Sequence, residues 1–564
     1  MTETIELHYD LAELPSAQHR AGLAGLKLMV DYLQDEPWFE DREDAEIELE
    51  TEDYDATLRC NLEGLIALFD LTYTAIPEER FSDKKREKFD RTEEVTVTDK
   101  KGKAKTITRY FYSVEIPEGA FLPKLDPSHN NGQGVWIKLW REMLWQIVRG
   151  VPATRNSYKH RLKRHGVSER PSFSKDAEKV WKDLVKPSKT VNQSGNYYLG
   201  AMASTAENVP TRDCAKYQFL LHFWPFVTQV YCPQFYSVIK KRGKQEIKRK
   251  FKGYALVVPD VANLIEFCDV FPSVLEDRET EKYGYRPREA VIDLPEEGAL
   301  DMLRLLRDRI RREAGDPQLS QYLLGVELFH AEKVGNSGVK LRSLSYVEPI
   351  ESQVDLYSQI RQNYWCLWFR KQRLINLLRS SDDSNVKPWT EFDALLSRIP
   401  RAWLKDPYFN HDARVLFEED PTTLEEKKLV MTAKTTKDSN TSKIRSCADI
   451  LYQICQSYVL SRLESKHGLT WQNCKGNPKL ESDFDSKKEK IVNTAFLAVR
   501  ARTEKQAFID YFVSTLYPYV RKEEFADFAT DLFENTDEIR ALTLLALSSQ
   551  YPRQSKNNSE KEKS

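Results

Sequence analysis

QFYSVIKKRGKQEIKRKFKGYALVVP, residues 234–259, decides how the first half of the chain is read. It predicts a long hairpin with its turn at Arg242-Gly243, running into an apolar strand at Tyr254. The charge is as telling as the pattern. Residues 240–252 hold eight bases (Lys240, Lys241, Arg242, Lys244, Lys248, Arg249, Lys250, Lys252) against Glu246 alone, a net +7 in thirteen residues. Strand alternation puts bases on both faces, so neither face buries without a counter-ion. Such a ribbon is a solvated surface hairpin or, as favoured here, a contact for a polyanion that relieves its self-repulsion.

Working outward, the N-terminal half mixes strands and helices. Ile5, Leu7 and Tyr9 alternate as in a half-buried strand, and Leu23, Leu26, Val30 and Leu33 recur at helical spacing. An acidic stretch over 35–55, twelve acids against Arg42, reads as strand-like and solvated. A helix is expected near 60–72, a hairpin over 94–113 turned at Lys101-Gly102, an amphipathic helix over 136–149, a helix over 300–313, and a second hairpin over 327–347 turned at Asn336-Ser337-Gly338. Beyond residue 350 strand signals fade. Leu356, Ile360, Tyr364, Leu367, Leu374 and Leu378 predict one long helix, and four apolar stripes follow from 443 onward. The fold class is therefore α+β: a mixed N-terminal region with β-hairpins over 1–350, a helical connector over 351–430, a C-terminal α-helical bundle over 431–550, and a polar tail over 551–564 expected to be disordered.

Composition excludes several classes. The chain has 564 residues, a net charge of -2 and a mean hydropathy of -0.60, with no apolar run of membrane-spanning length and no secretory signal pattern. None of the eight cysteines forms a CxxC pair, so a reducing cytoplasmic setting is expected, without structural zinc or a disulfide framework. His411-Asp412 is an isolated HD pair without further ligands at helical spacing, and reads as a loop pair after Tyr408. Pro259-Asp260 ends a strand as in some nucleases, but no ExK follows; the Gly335 to Lys340 stretch lacks Walker spacing and reads as a hairpin turn. No catalytic residue, metal or cofactor is expected.

Two loops have the residue chemistry of base-edge readers. One holds Asn130 and Asn131, then Gln133 between Gly132 and Gly134; the other holds Asn192, Gln193, Ser194 and Asn196 around Gly195, with Lys189 beside it as a phosphate contact. Amides pair with base edges, and glycine lets backbone approach a narrow groove.

The stretches LPSAQHRAGLAGL (14–26), GNYYLGAMASTAENVP (195–210), LLHFWPFV (220–227) and FKGYALVVPDVANLIEF (251–267) resemble the Cas-eight large subunit of a type I CRISPR Cascade, in its MYXAN or I-B-like branch. The resemblance implies a non-catalytic subunit that meets target double-stranded DNA at the protospacer-adjacent motif (PAM), helps part the strands and supports the R-loop. It implies CRISPR guide RNA, Cas-five, Cas-six, Cas-seven and small Cas-eleven subunits as partners, and a helicase-nuclease or a transposition adaptor as the recruited effector. Guide pairing would carry sequence specificity while protein reads a short motif and shape. A scaffold without PAM reading and a cryptic metal-dependent nuclease are the rival functions. Met431 stands just before the bundle, and a product begun there would have 134 residues and a net charge of +3, resembling a separately made small subunit.

Overall fold

The computed structural model describes residues 3–85, 87–98, 104–130, 132–148, 173–192, 198–202, 211–241, 244–315, 318–335, 338–380, 386–400, 403–406, 408–418, 446–522 and 525–552. These fall into two compact units. One comprises residues 1–235 and 250–354, the other residues 236–249 and 355–564.

The first unit begins with β1 (Thr4–Asp10), α1 (Ala17–Gln34), β2 (Ile47–Thr51) and β3 (Asp55–Asn61). β3 lies between β1 and β2 in an antiparallel sheet. The acidic stretch alternates on β2, with Ile47 and Leu49 buried while Glu48 and Glu50 face water. Asn61 caps the next helix, α2 (Leu62–Thr72), by accepting from Gly64 N–H at 2.8 Å. α1 is buried on nearly all sides. Its Gly22 and Gly25 let the helix touch another backbone directly, since a Cβ there would stand 2.4 Å from Leu220 O and 2.2 Å from Phe223 O.

β4 (Ala75–Ser82), β5 (Arg91–Thr98) and β6 (Ala104–Pro117) form a three-stranded sheet with β6 central. The hairpin expected over 94–113 is the β5–β6 pair; its turn at Lys101-Gly102 lies outside the described residues. The amphipathic helix expected over 136–149 runs as α3 (Val135–Met143) and then widens into a π-helical turn over Leu144–Val148. α4 (Ser174–Leu184), β7 (Thr190–Asn192), β8 (Arg212–Cys214) and α5 (Ala215–Leu220) follow.

The largest sheet has β9 (Gln229–Lys241), β10 (Lys244–Phe251), β11 (Tyr254–Val261), β12 (Val291–Ile292), β13 (Leu323–Val334) and β14 (Gly338–Val347). Its order is β10-β9-β11-β13-β14, with β12 parallel to β9. All eight residues of β11 are buried, as a central strand requires. α6 (Leu264–Glu276) and α7 (Glu297–Ala314) pack on one another, and α7 also packs on β11 and β13.

The second unit is helical apart from the hairpin tip, residues 236–249, that clusters with it. The single long helix expected over 356–378 is instead two, α8 (Glu351–Asn363) and α9 (Leu367–Arg379). The cause is remote. The buried Asp412 carboxylate accepts from the N–H groups of Trp365 (3.0 Å) and Cys366 (2.7 Å), taking donors the helix would have used. His411-Asp412 is likewise no loop pair; it opens α11 (Phe409–Glu418), after α10 (Phe392–Arg398). The bundle proper has α12 (Cys447–His467), α13 (Pro478–Arg500), α14 (Lys505–Thr515), α15 (Phe525–Glu534) and α16 (Thr536–Ser549). α16 is its axis: α10 through α15 all pack on it, and all but Asp537 and Glu538 of its residues are buried. Its buried Arg540 donates to Thr503 O (2.8 Å) and Ser397 Oγ (2.8 Å) and lies 3.4 Å from the Asp393 carboxylate, which pairs its charge inside the bundle. No described helix is long and apolar enough to cross a membrane.

Candidate nucleic-acid interface

The basic hairpin forms as an edge ribbon of the large sheet, with β10 outermost. Lys248, Arg249, Lys250 and Lys252 are exposed, and Lys252 lies 3.8 Å from Glu332. Consecutive exposed residues along β10 mean that both faces of the ribbon meet solvent there. Arg242 lies outside the described residues, and of Lys240, Lys241 and Lys244 only the strand positions are described. Charge along an edge strand also discourages pairing with a foreign strand.

The loop ahead of α3 is built around one carboxylate. Asp126 Oδ1 accepts from Ser128 N–H (2.9 Å) and Ser128 Oγ–H (2.7 Å); Oδ2 accepts from the N–H groups of Trp136 and Ile137, both at 3.0 Å. Ser128 Oγ in turn accepts from Val135 N–H at 2.9 Å. The first three donors of α3 are thus satisfied by two side chains, and the acid also complements the helix dipole. Ser128 O takes the N–H groups of Gln133 (3.2 Å) and Gly134 (3.1 Å). Gly132 and Gly134 adopt φ of 69° and 47°, the left-handed region in which glycine avoids strain. Asn130 and Gln133 come out exposed on this frame; Asn131 lies outside the described residues. Behind it, Arg278 lies 4.5 Å over the Trp136 ring, and the Trp136 indole donates to Glu279 O at 2.8 Å. Burial lowers the Arg278 guanidinium from its ordinary value and the Asp126 charge opposes that shift.

The second amide segment is partly a ribbon. Asn192 ends β7, opposite Arg212 of β8, and its side-chain oxygen accepts from Arg212 Nε at 3.1 Å. Lys189 pairs with Asp183 at 2.5 Å, both partly exposed. Gln193, Ser194, Gly195 and Asn196 lie outside the described residues, as does Met431. Further along the same segment, Tyr198 packs its ring 5.4 Å from His19, and Gly200 N–H donates to Gln18 Oε1 at 3.2 Å. The start of α1 is therefore the seat of this segment. Burial, with the neighbouring Arg20 charge, pushes the His19 imidazole down to about 3, so it stays neutral. The two amide segments rest on different supports, one on α3 and Arg278, the other on α1 and β8.

Close to that seat lies a buried carboxylate cluster that sequence reading missed. Asp260 accepts a short hydrogen bond from Arg20 Nε and another from Tyr346 O–H at 2.8 Å. Glu327, on the strand beside it, is pushed up to about 7 by burial, with the Asp260 charge adding and Arg20 opposing. These partners are protein cations and hydroxyls. Among the described residues no three or more His, Cys, Asp or Glu side chains gather as a metal-ligand set. The signal for Asp260 was in the sequence as Pro259-Asp260, but Arg20 stands 240 residues away from it.

Two family comparisons account for nearly the whole chain. Residues 46–316 match the Type I-B CRISPR Cas8b N-terminal domain, and residues 323–550 match the Type I-B CRISPR Cas8b C-terminal domain. A search of curated proteins found no match. The resemblance carried by the 14–26, 195–210, 220–227 and 251–267 stretches thus points the right way, and the chain belongs to the Cas8b family, the large subunits of type I-B CRISPR complexes.

Proposed function

We propose that this large subunit reads the PAM of target double-stranded DNA and stabilises the R-loop without chemistry of its own. The observation that carries the reading is the Asp126-centred loop. It holds two exposed amide side chains, Asn130 and Gln133, on a frame fixed by five hydrogen bonds in which Asp126 and Ser128 are the acceptors. Amides on a rigid frame suit base-edge recognition. The basic β9–β10 ribbon supplies the sequence-independent part, attraction to phosphate. Guide RNA, the other Cas subunits and a recruited effector complete the proposed assembly, and cleavage belongs to the effector.

The test uses the assembled complex and duplexes that differ only in the PAM. Asn130→Ala or Gln133→Ala should weaken binding to the preferred duplex by about 1–3 kcal/mol and weaken the others less. Equal losses on every duplex would reassign the loop to backbone positioning. The purified chain, given magnesium or manganese, should leave both DNA and RNA intact; metal-dependent cutting that survives repurification would remove the non-catalytic assignment.

A further inference from the structure

The His411-Asp412 pair has a role that a metal reading does not supply. Asp412 is fully buried, and by holding the Trp365 and Cys366 N–H groups it fixes the corner between α8 and α9. His411 Nδ1 sits 3.0 Å from Asp412 Oδ1, which sets the imidazole plane. That plane lies against the Trp365 indole, with centroids 4.2 Å apart and planes 10° from parallel. Tyr408 meets the same indole edge-on at 5.7 Å and 87°. The indole N–H donates to Gln362 O at 3.3 Å, so its polar edge has a partner.

One face of the indole is therefore covered and its orientation is fixed from two sides. Yet Trp365 remains 50% exposed, so much of the ring beyond its contact with His411 is open to solvent. A tryptophan clamped in this way and open to solvent has the form of a stacking surface.

Its surroundings indicate the ligand. The stretch carrying Tyr408 and His411 also carries Trp403 and Asp406. Trp403 packs on Tyr236 of the basic hairpin at 5.3 Å. Burial raises the Asp406 carboxyl, and the charge of Arg249, on the same hairpin, draws it back. Arg249 and Lys248 are exposed. Positive charge and an open aromatic face thus share one unit and one supporting stretch, the combination that holds single-stranded nucleic acid: cations track the phosphates and a ring stacks the base.

We infer that Trp365, backed by His411, is a stacking platform for one unpaired nucleobase whose phosphates are drawn in by Lys248 and Arg249. This rests on the nucleic-acid reading above but not on PAM recognition. The unpaired base could belong to a displaced DNA strand or to guide RNA, and both are tried.

The full chain is titrated against a labelled single-stranded DNA, an RNA of the same sequence, and an abasic strand of equal length and charge. Trp365→Ala should weaken binding to a base-bearing strand roughly 5- to 100-fold, leave the abasic strand unaffected, and leave the salt slope unchanged. Loss on DNA alone, RNA alone or both supports the platform, and loss on one alone identifies its source. Lys248→Glu with Arg249→Glu should weaken all strands and flatten the slope. Trp365→Phe, which keeps a smaller ring, should fall between the parent and Trp365→Ala, and it decides the matter if the alanine variant does not fold. Equal loss on base-bearing and abasic strands, or no loss on either, overturns the proposal. So does defective assembly with the other subunits at unchanged oligonucleotide affinity, which would make Trp365 a protein contact. PAM discrimination by the assembled complex is measured alongside. If it is absent while base-dependent binding persists, the PAM reading fails and the platform stands; the converse removes the platform alone.

Discussion

The Asp126 loop and the basic ribbon face solvent for opposite structural reasons. In the loop, a buried carboxylate and a serine hydroxyl tie together Ser128, Val135, Trp136 and Ile137, and the exposed amides ride on that knot. In the ribbon, Lys248, Arg249 and Lys250 stand exposed in succession on an edge strand, carried by the ladder of β9 and β10. A directional hydrogen bond loses its value when its donor moves by an ångström, whereas Coulomb attraction to a polyanion changes slowly with distance. Discrimination thus demands a stiff support, and attraction does not.

The sharpest way to break this contrast is Asp126→Ala. It strips four donors of their acceptor at once and should cost about 2–4 kcal/mol, read as a lower midpoint in urea at unchanged slope. An unchanged midpoint would mean that the loop is no stiffer than the ribbon.

Glu327→Gln examines the seat beneath the other amide segment. Because burial raises this carboxyl to about 7, the native state holds its proton over the range in which the unfolded chain gives it up. Stability is therefore lost as pH rises from the ordinary glutamate value toward 7, and the loss is complete above it. The glutamine variant should gain roughly 1–3 kcal/mol over the parent at pH 8 and much less at pH 5. Thermal melting at the two pH values measures it; an advantage that shrinks with rising pH would contradict the buried acid.

The glycines of the loop permit a finer comparison. Gly134→Ala meets Ile137 Cγ2 at 3.0 Å on top of a positive φ, while Gly132→Ala has a positive φ but open space around it. The first should cost about 1–2 kcal/mol more than the second, whose penalty is the ~1 kcal/mol of left-handed backbone alone. Equal costs would show that the loop yields.

The smallest effect belongs to the ribbon. Single alanine replacements of Lys248, Arg249 or Lys250 should shift stability by no more than ~0.5 kcal/mol, and each should lower the salt slope of duplex binding by about one unit. A large stability loss would reveal a structural duty for these bases.

Elements set by neighbours in sequence were legible from sequence. The β9–β10 and β13–β14 hairpins, α1, α2 and the stripes of α12, α13 and α14 follow from periodicity of two or 3.6 together with turn residues. What escaped was set from far away. The α8–α9 break originates in Asp412, 46 residues beyond Cys366, and periodicity across 356–378 runs straight through it. Asn192 looked like a loop amide because β7 is only three residues long and its partner Arg212 lies beyond the small-residue stretch. At the site, composition singled out Asn130 and Gln133 but not Asp126, although Asp-x-Ser shortly before an amphipathic helix is a capping signal. His411-Asp412 drew notice as a motif; its purpose depended on Trp365, which no local pattern connects to it.

The seam at Gly22 and Gly25 has a bearing on biosynthesis. α1 meets β2 and α2 soon after it in the chain, but its closest backbone approaches are to Leu220 and Phe223, and it packs most extensively on the buried strand β11. With about 220 residues between Gln34 and Tyr254, a ribosome adding roughly 5–20 residues per second leaves the helix waiting on the order of ten to fifty seconds. For that interval α1 is only partly covered, by the β2 and α2 segments that follow it. A nascent polypeptide with such a half-covered helix is a client for chaperones, and its yield should depend on translation speed ahead of codon 260 more than on the finished fold's stability.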